Sequence, residues 1–288
     1  MAPTKNCIML KVNCLKMKQA EFITGLSSAA ESLKMDGRAN VQVHIFPRPT
    51  AKNQFEPYVV DVPPCFSIHF SHAYEDPESG YLVSCFSGWP PSDSKDFLGA
   101  WGGFAPYYTV IPPTFIWKLV IDPRTKKCIS LDIAPGSLNA CADHPLVHPN
   151  FSTKKVKYVY AVGSNVIGDS SAPCGYIKLQ VEEGSGDRSL KTGEKNEKID
   201  SYWFGSRFFA GEPIIVPKAG SDPGIETEAY LLGMVQDTVQ DRSAVAIFDL
   251  DRDLKEGPVS MLWLKSSIPY GTHGCFSAEG GGSSSVFC

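Results

Sequence analysis

The length and composition of the chain indicate an ordinary globular protein. It has 288 residues, of which 43% are hydrophobic and 20% charged, so it can bury a core in one large domain or two smaller ones. The net charge of −4 provides no basic excess for a nucleic-acid partner. No apolar run reaches the roughly 18 residues that a membrane-spanning helix requires.

The first predicted element is a helix over residues 18–35. Its apolar residues recur at three- and four-residue steps and form a stripe, and Gly37 follows as a stop signal. The opening residues show neither the layout of a signal peptide nor that of an Arg-rich transit peptide. We therefore expect residues 1–37 to form an N-terminal segment with a short helix.

Almost everything after this helix reads as short strands. The runs are rich in Val, Ile, Tyr, Phe and Trp, and turn residues separate them. Because little helix lies between them, a parallel βαβ sheet is excluded and a sandwich, a barrel or a propeller is favoured. Strand, charged turn and strand recur at 117–131 and 244–264, as in the hairpins of propeller blades. The predicted strands are 41–46, 81–86, 115–122, 157–162, 175–181, 213–218, 229–235, 244–250 and 260–265.

Three stretches lack strand periodicity. Residues 87–114 are rich in Pro, Gly and aromatics and predict an irregular excursion over the surface. The aromatic part, 98–117, is interpreted as a packed surface loop, with a substrate tunnel or a membrane contact as the alternatives. The polar residues 182–199 predict a long exposed loop, and 278–288, with GGGSSS, predict a flexible tail.

The chain has nine cysteines, an odd number, and no two of them have the CxxC spacing. Several lie inside apolar runs that read as strands. Buried free thiols in a reducing compartment are therefore favoured over a disulfide framework. We expect a chain that is not secreted.

The segment CFSIHFSHAYED, residues 65–76, carries two histidines, His69 and His72. In a strand, residues three apart project to opposite faces, so both could bind one metal only if the strand were interrupted between them. On this pattern alone, two roles are open for each histidine: a metal ligand or a buried structural residue.

Two further segments carry polar residues in unusual surroundings. His273 lies in IPYGTHGCF, residues 268–276, where glycines permit close backbone approach; a tight turn is the alternative. Glu212 lies at the start of an apolar strand in FFAGEPIIVPK, residues 208–218. A buried carboxylate needs a partner such as an imidazole N–H, although a solvent-facing loop acid would also fit.

These segments, in this order, resemble the carotenoid cleavage oxygenase family. The family segment aromatic-His-x-x-Asn-Ala-Tyr-Glu-Glu falls on residues 68–76, which places His69 at the metal histidine and His72 at the usual Asn. Residues 211–217 are similar to Gly-Glu-Pro-x-Phe-Val-Pro, and 268–276 to a Pro-Tyr-Gly-Phe-His-Gly signature. The resemblance covers about residues 38–277 in collinear order.

The resemblance implies an all-β fold, a seven-bladed β-propeller with iron(II) on its axis. In the family, four histidines hold the metal, and carboxylates orient three of them. The bound Fe2+ lets dioxygen cleave a conjugated double bond of a carotenoid or apocarotenoid. Residues 38–277 are thus expected to form an incomplete propeller, the C-terminal portion lacking the N-terminal blades.

The resemblance also assigns the site residues. The metal ligands would be His69 and His273, Glu212 would orient His273, and Asp143 would orient His69. Asp143 is one methylene shorter than the usual Glu, so its hydrogen bond would be longer or need a backbone shift. The neighbouring His144, like His148, falls at a position that is not a ligand.

Only two of the four family ligands can be placed, so we expect this chain alone to be an inactive oxygenase. The alternative is a non-catalytic β-propeller remnant that binds a partner or an apolar ligand. The expected partners are an apolar polyene and dioxygen, with peripheral membrane contact as a further option and no nucleic acid. The expected location is the cytoplasm or a plastid.

Overall fold

The structure is a computed structural model that describes most of the chain. The described residues are 1–29, 31–35, 39–51, 54–90, 113–137, 140–165, 172–181, 199–271, 273–277 and 286–287. The predicted surface excursion and polar loop lie mostly outside these ranges. So does most of the predicted tail, of which only the short strand 286–287 is described.

Strands dominate the described residues. They are β1 (Ala2–Pro3), β2 (Cys7–Val12), β3 (Leu15–Met17), β4 (Leu33–Met35), β5 (Val41–Pro47), β6 (Tyr58–Val62), β7 (Phe66–Glu75), β8 (Leu82–Trp89), β9 (Phe115–Asp122), β10 (Lys127–Ile133), β11 (Cys141–Leu146), β12 (Tyr158–Ser164), β13 (Gly175–Gln180), β14 (Ile199–Trp203), β15 (Phe208–Pro217), β16 (Ala229–Asp237), β17 (Arg242–Asp249), β18 (Ser260–Trp263), β19 (Phe276–Ser277) and β20 (Val286–Phe287). The described helices are α1 (Gln19–Ile23) and 3-10 turns at Pro149–Phe151 and Leu254–Glu256.

Sixteen of these strands form four antiparallel four-stranded sheets. Their strand orders are β1-β2-β5-β6, β10-β9-β8-β7, β11-β12-β13-β14 and β15-β16-β17-β18. The edge strands β1, β7, β11 and β15 contact one another in succession, so the sheets are arranged in chain order around their inner edges. This arrangement confirms the prediction of an all-β, incomplete propeller, with four blades in the described chain.

The hydrophobic core lies between the blades. One cluster joins the first two sheets, with Ile45 packed in the same group as Phe86. A second joins the next pair through Ile116 and Ile177, and a third joins the last pair through Tyr176 and Phe248. Each interface buries the apolar side chains that point from one sheet towards the next. This burial removes apolar surface from water and holds the inner edges of successive sheets together.

The predicted helix over residues 18–35 is wrong in extent. The helix α1 covers only Gln19–Ile23, and Leu33–Met35 forms β4, which pairs with β3. Within the described residues this part of the apolar stripe is not buried, since Ile23 and Leu26 are exposed. Without a buried face a short helix gains little stability, so pairing with β3 prevails. Residues before position 38 also contribute β1 and β2 to the first blade.

The described cysteines agree with the prediction of free thiols. No disulfide joins the eight cysteines in these ranges, and most of them are buried. Within the described ranges, no helix combines the length and hydropathy that crossing a bilayer demands.

Candidate metal centre

Three inner strands carry a β-bulge at the point where they face a common centre. The register shifts at His69 in β7, at His144 in β11, directly after Asp143, and at Glu212 in β15. A bulge leaves an extra residue out of the ladder and turns its side chain away from simple alternation. The side chains of His69, Asp143, His144 and Glu212 point towards one place.

Three imidazoles meet there. The ring centroids of His69 and His273 lie 5.3 Å apart in an edge-on arrangement. The ring of His144 stacks on that of His69 at 4.2 Å and lies 5.2 Å from that of His273. One ligand atom from each residue lies within 4.8 Å of the other two. His69 and His273, which the sequence resemblance pairs as metal ligands, are therefore brought together, and His144 lies beside both.

Asp143 orients one ring. Its Oδ1 accepts hydrogen bonds from His69 Nδ1 at 2.8 Å, from the His144 backbone N–H at 2.8 Å and from the Ser87 hydroxyl. Burial alone would raise the pKa of Asp143, but the hydrogen bonds from His69 and Ser87 outweigh it and lower the pKa overall. The shorter side chain of Asp143 therefore still reaches His69 at an ordinary hydrogen-bond distance of 2.8 Å.

Glu212 faces the other two rings. Its Oε2 accepts from His273 Nδ1 at 3.2 Å and from the Gly274 N–H at 3.0 Å. Its Oε1 lies 3.5 Å from His144 Nδ1, which is longer than a hydrogen bond. Burial would raise the pKa of Glu212, but the contact with His144 and the Gly274 N–H lower it overall.

Sequence reasoning did not place His144 in this cluster. The resemblance gives it no role, whereas the structure buries it inside the cluster. Its φ of 49° is in the left-handed region, which costs a non-glycine residue about 1–2 kcal/mol. On a regular strand it would face away from Asp143, so the only available signal was its position beside that carboxylate.

The other described histidines lie outside the cluster. His72 is buried, with its Nδ1 2.8 Å from the Ser71 hydroxyl, and burial together with the Lys118 ammonium lowers the pKa of His72 to about 3. His148 accepts a hydrogen bond from a backbone N–H at the start of a 3-10 turn. His44 lies on β5 in the first blade. The bulges in β7 interrupt strict alternation, yet His69 and His72 still point to different surroundings.

An apolar cavity of about 360 Å³ adjoins Glu212 and His273. Strands β15 and β16 and the segment before His273 form its walls. Its apolar lining includes Phe209, Ile214, Met234, Val245, Ile268 and Tyr270. An apolar ligand placed in it would lie directly beside the histidine cluster.

The residues present fit a divalent transition metal. Imidazole nitrogens suit iron, cobalt and zinc, and a carboxylate on Nδ1 of His69 and of His273 leaves Nε2 of each for an ion. Nitrogens on one ion lie at most about 4.2 Å apart at metal–nitrogen distances near 2.1 Å. Small ring movements would bring the cluster into that range.

The fold and the cluster define a β-propeller in which histidines from inner strands, backed by carboxylates, converge on a candidate metal centre. The family model of the retinal pigment epithelial membrane protein, RPE65, matches residues 1–278. The chain belongs to this family, the carotenoid cleavage oxygenases.

Its relatives include enzymes of carotenoid cleavage. The chain is 26% identical to apocarotenoid-15,15'-oxygenase of Synechocystis sp. over 269 residues, covering 92% of this chain and 48% of the relative. It is 24% identical to carotenoid 9,10(9',10')-cleavage dioxygenase 1 of Phaseolus vulgaris, covering 85% of this chain and 42% of the relative. The chain thus spans about half the length of the curated relatives it matches.

Solved structures show the same fold. A cobalt-substituted Synechocystis apocarotenoid oxygenase superposes with a TM-score of 0.76 at 22% identity, covering 94% of this chain and 51% of that chain. A single-residue variant of the same enzyme gives the same TM-score.

Proposed function

We propose that this chain carries the metal-binding part of a non-haem iron(II) oxygenase that cleaves a conjugated double bond of a carotenoid or apocarotenoid. The observation that carries the proposal is the convergence of His69 and His273, each hydrogen-bonded to its own carboxylate. One dioxygen and one carbon–carbon double bond give two carbonyl groups, so the reaction balances without an added reductant.

His69 and His273 would hold the Fe2+ ion, with Asp143 and Glu212 fixing the orientation of their rings. When bound, ferrous iron supplies the redox activity that lets dioxygen react with a closed-shell polyene. The two carboxylates keep each Nδ1 protonated, so each Nε2 retains a lone pair for the metal.

The substrate class follows from the surroundings of the cluster. The cavity beside His273 is lined mainly by apolar side chains, which suits a hydrocarbon chain and not a charged metabolite. The names of the relatives, which are carotenoid and apocarotenoid cleavage enzymes, point to a polyene. We place the protein in the cytoplasm or a plastid; one relative, from Arabidopsis thaliana, is named as chloroplastic.

This chain alone is expected to hold the metal without efficient turnover. The side chain of His273 is 60% exposed, so one side of the cluster is open to water. Oxygen chemistry on an apolar substrate needs a site from which water is excluded. Additional polypeptide covering His273 would meet that need.

A second candidate function is non-catalytic binding of an apolar ligand. The apolar cavity favours it, because the cavity can accept such a ligand with or without a metal nearby.

The test loads the 288-residue chain with Fe2+ under anaerobic conditions and then supplies an apocarotenal and dioxygen. We expect about one iron per chain by elemental analysis, its loss in a His69→Ala/His273→Ala variant, retention in a His44→Ala control, and no cleavage products by chromatography. Cleavage by the iron-loaded chain would refute the expected inactivity. Polyene binding without any bound iron would instead support the non-catalytic function.

A further inference from the structure

We propose that His144 supplies a third imidazole to the metal centre, so that this chain contributes three nitrogen ligands. The inference rests on the proposed function, since it concerns the same site. The resemblance to the carotenoid cleavage oxygenases assigns His144 no such role, and the surroundings of His144 in this chain support the inference.

The Nδ1 atom of His144 is buried and lacks a hydrogen-bond partner among the described residues. The residue is 7% exposed, and Glu212 Oε1 lies 3.5 Å from this Nδ1 atom. Leaving a buried polar atom unpaired is unfavourable, and an ion or a water molecule near such an atom is one of its common explanations in folded proteins. If an ion drew Nε2 inwards, the ring would shift and Nδ1 could close onto Glu212.

The backbone around His144 adopts an unfavourable conformation that points this ring towards His69 and His273. Its left-handed φ and the bulge in β11 both interrupt a regular inner strand. Asp143 fixes that turn by accepting the His144 N–H while it also holds His69. Strained backbone that the surrounding structure maintains is typical of functional positions.

The charge and number of groups suit a dication. Two carboxylates, Asp143 and Glu212, surround three imidazoles, so a doubly charged ion would balance them. Glu212 reaches two of the rings with its two oxygens, Oε2 to His273 and Oε1 towards His144. Three protein ligands are the number that many catalytic zinc and non-haem iron sites use, because open positions remain.

The competing explanation is that His144 only packs against His69. The two rings are stacked, with 22° between their planes. Phenylalanine would stack and fill the space equally well, so packing alone predicts that His144→Phe keeps full metal affinity.

The experiment measures Co2+ affinity by chelator competition, together with the visible spectrum of the bound ion, in the 288-residue chain. The variants are His144→Phe, His144→Gly and, as a matched control away from the site, His44→Phe. Glycine tolerates the left-handed backbone, so His144→Gly is the variant expected to fold even if the phenylalanine variant does not.

We expect affinity to fall about 100-fold or more in both His144 variants, with a changed Co2+ spectrum, and to stay unchanged in His44→Phe. Added imidazole should restore the spectrum of His144→Gly. Wild-type Co2+ binding with unchanged affinity in folded His144 variants would overturn the inference and leave the proposed function standing. Absence of Co2+ binding to the wild-type chain would overturn both.

Discussion

Hydrogen bonds to Nδ1 determine which nitrogen of each ring is offered to a metal. Asp143 accepts from His69, and Glu212 accepts from His273, and both carboxyl pKa values are lowered despite burial. Ionised carboxylates in these positions select one tautomer and one ring orientation, and they increase the basicity of the imidazole.

Replacing Asp143 by Asn should therefore weaken the metal site. The neutral amide loses the charge that holds His69 Nδ1–H, so we expect Co2+ affinity to fall about 10- to 100-fold. Chelator competition measures this, with the exposed Asp132→Asn on β10 as the control. Equal affinity in Asp143→Asn and wild type would show that the carboxylate does not support the site.

His72 should make the protein sensitive to acid. Its pKa is about 3 in the folded state and near 6.5 in the unfolded chain, so between these values the unfolded chain alone binds the proton. The free energy of unfolding consequently falls as pH decreases from about 6.5 towards 3. Between about pH 7.5 and pH 4.5 this loss is about 2–3 kcal/mol.

The variant His72→Asn removes this titration. Urea unfolding across the pH range should show a shallower loss of stability in the variant than in wild type, whatever the offset between them at neutral pH. Parallel curves would contradict the assignment of acid sensitivity to His72.

The bulges in the inner strands carry residues of the candidate metal centre. The bulge in β15 carries Gly211 and Glu212, and the hydroxyl of Tyr176 on β13 donates to the Gly211 carbonyl at 3.2 Å, with the Met234 carbonyl at 3.4 Å. The third blade thereby supports the irregular backbone of the fourth. Burial raises the pKa of Tyr176, so its hydroxyl stays protonated as the donor.

Two buried tyrosines give a matched test of this support. Tyr176→Phe should lower the free energy of unfolding by about 1–2 kcal/mol, because buried carbonyls lose their donor. Tyr160 is equally buried, but its hydroxyl lacks a hydrogen-bond partner within the described residues, so Tyr160→Phe should be neutral or stabilising. Chemical denaturation compares the two; equal losses would contradict a specific role for the Tyr176 hydroxyl.

At the scale of the whole molecule, the first and last blades present apolar side chains to solvent. Leu10, His44 and Val59 form one row across β2, β5 and β6, and both apolar members are exposed. On the last blade Leu262 and Trp263 are exposed. Large apolar side chains that are exposed on a sheet promote association.

We expect the purified chain to associate at increasing concentration, and Leu10→Lys/Val59→Lys to reduce this. Sedimentation velocity over a concentration series measures it. The exposed Ile129 on the outer strand β10 provides a control, since Ile129→Lys adds the same charge elsewhere. A wild-type mass that does not change with concentration would contradict the expectation.

The sequence by itself determined the strand-rich class and the position of about half of the described strands, because β-branched and aromatic runs separated by turn residues reflect local chemistry. The resemblance of short motifs to a known family also implied His69, Asp143, Glu212 and His273 as candidate site residues. Those features depend on residues near one another in the chain.

Only the tertiary structure decided the extent of the first helix and the inclusion of His144. Ile23 and Leu26 of the apolar stripe are exposed, so periodicity alone overestimated the helix. His144 reaches the cluster through a bulge in β11, held by Asp143 and facing rings from β7 and from beyond β18. Bulges and contacts between blades depend on how distant strands pack, and no local pattern of residues encodes them.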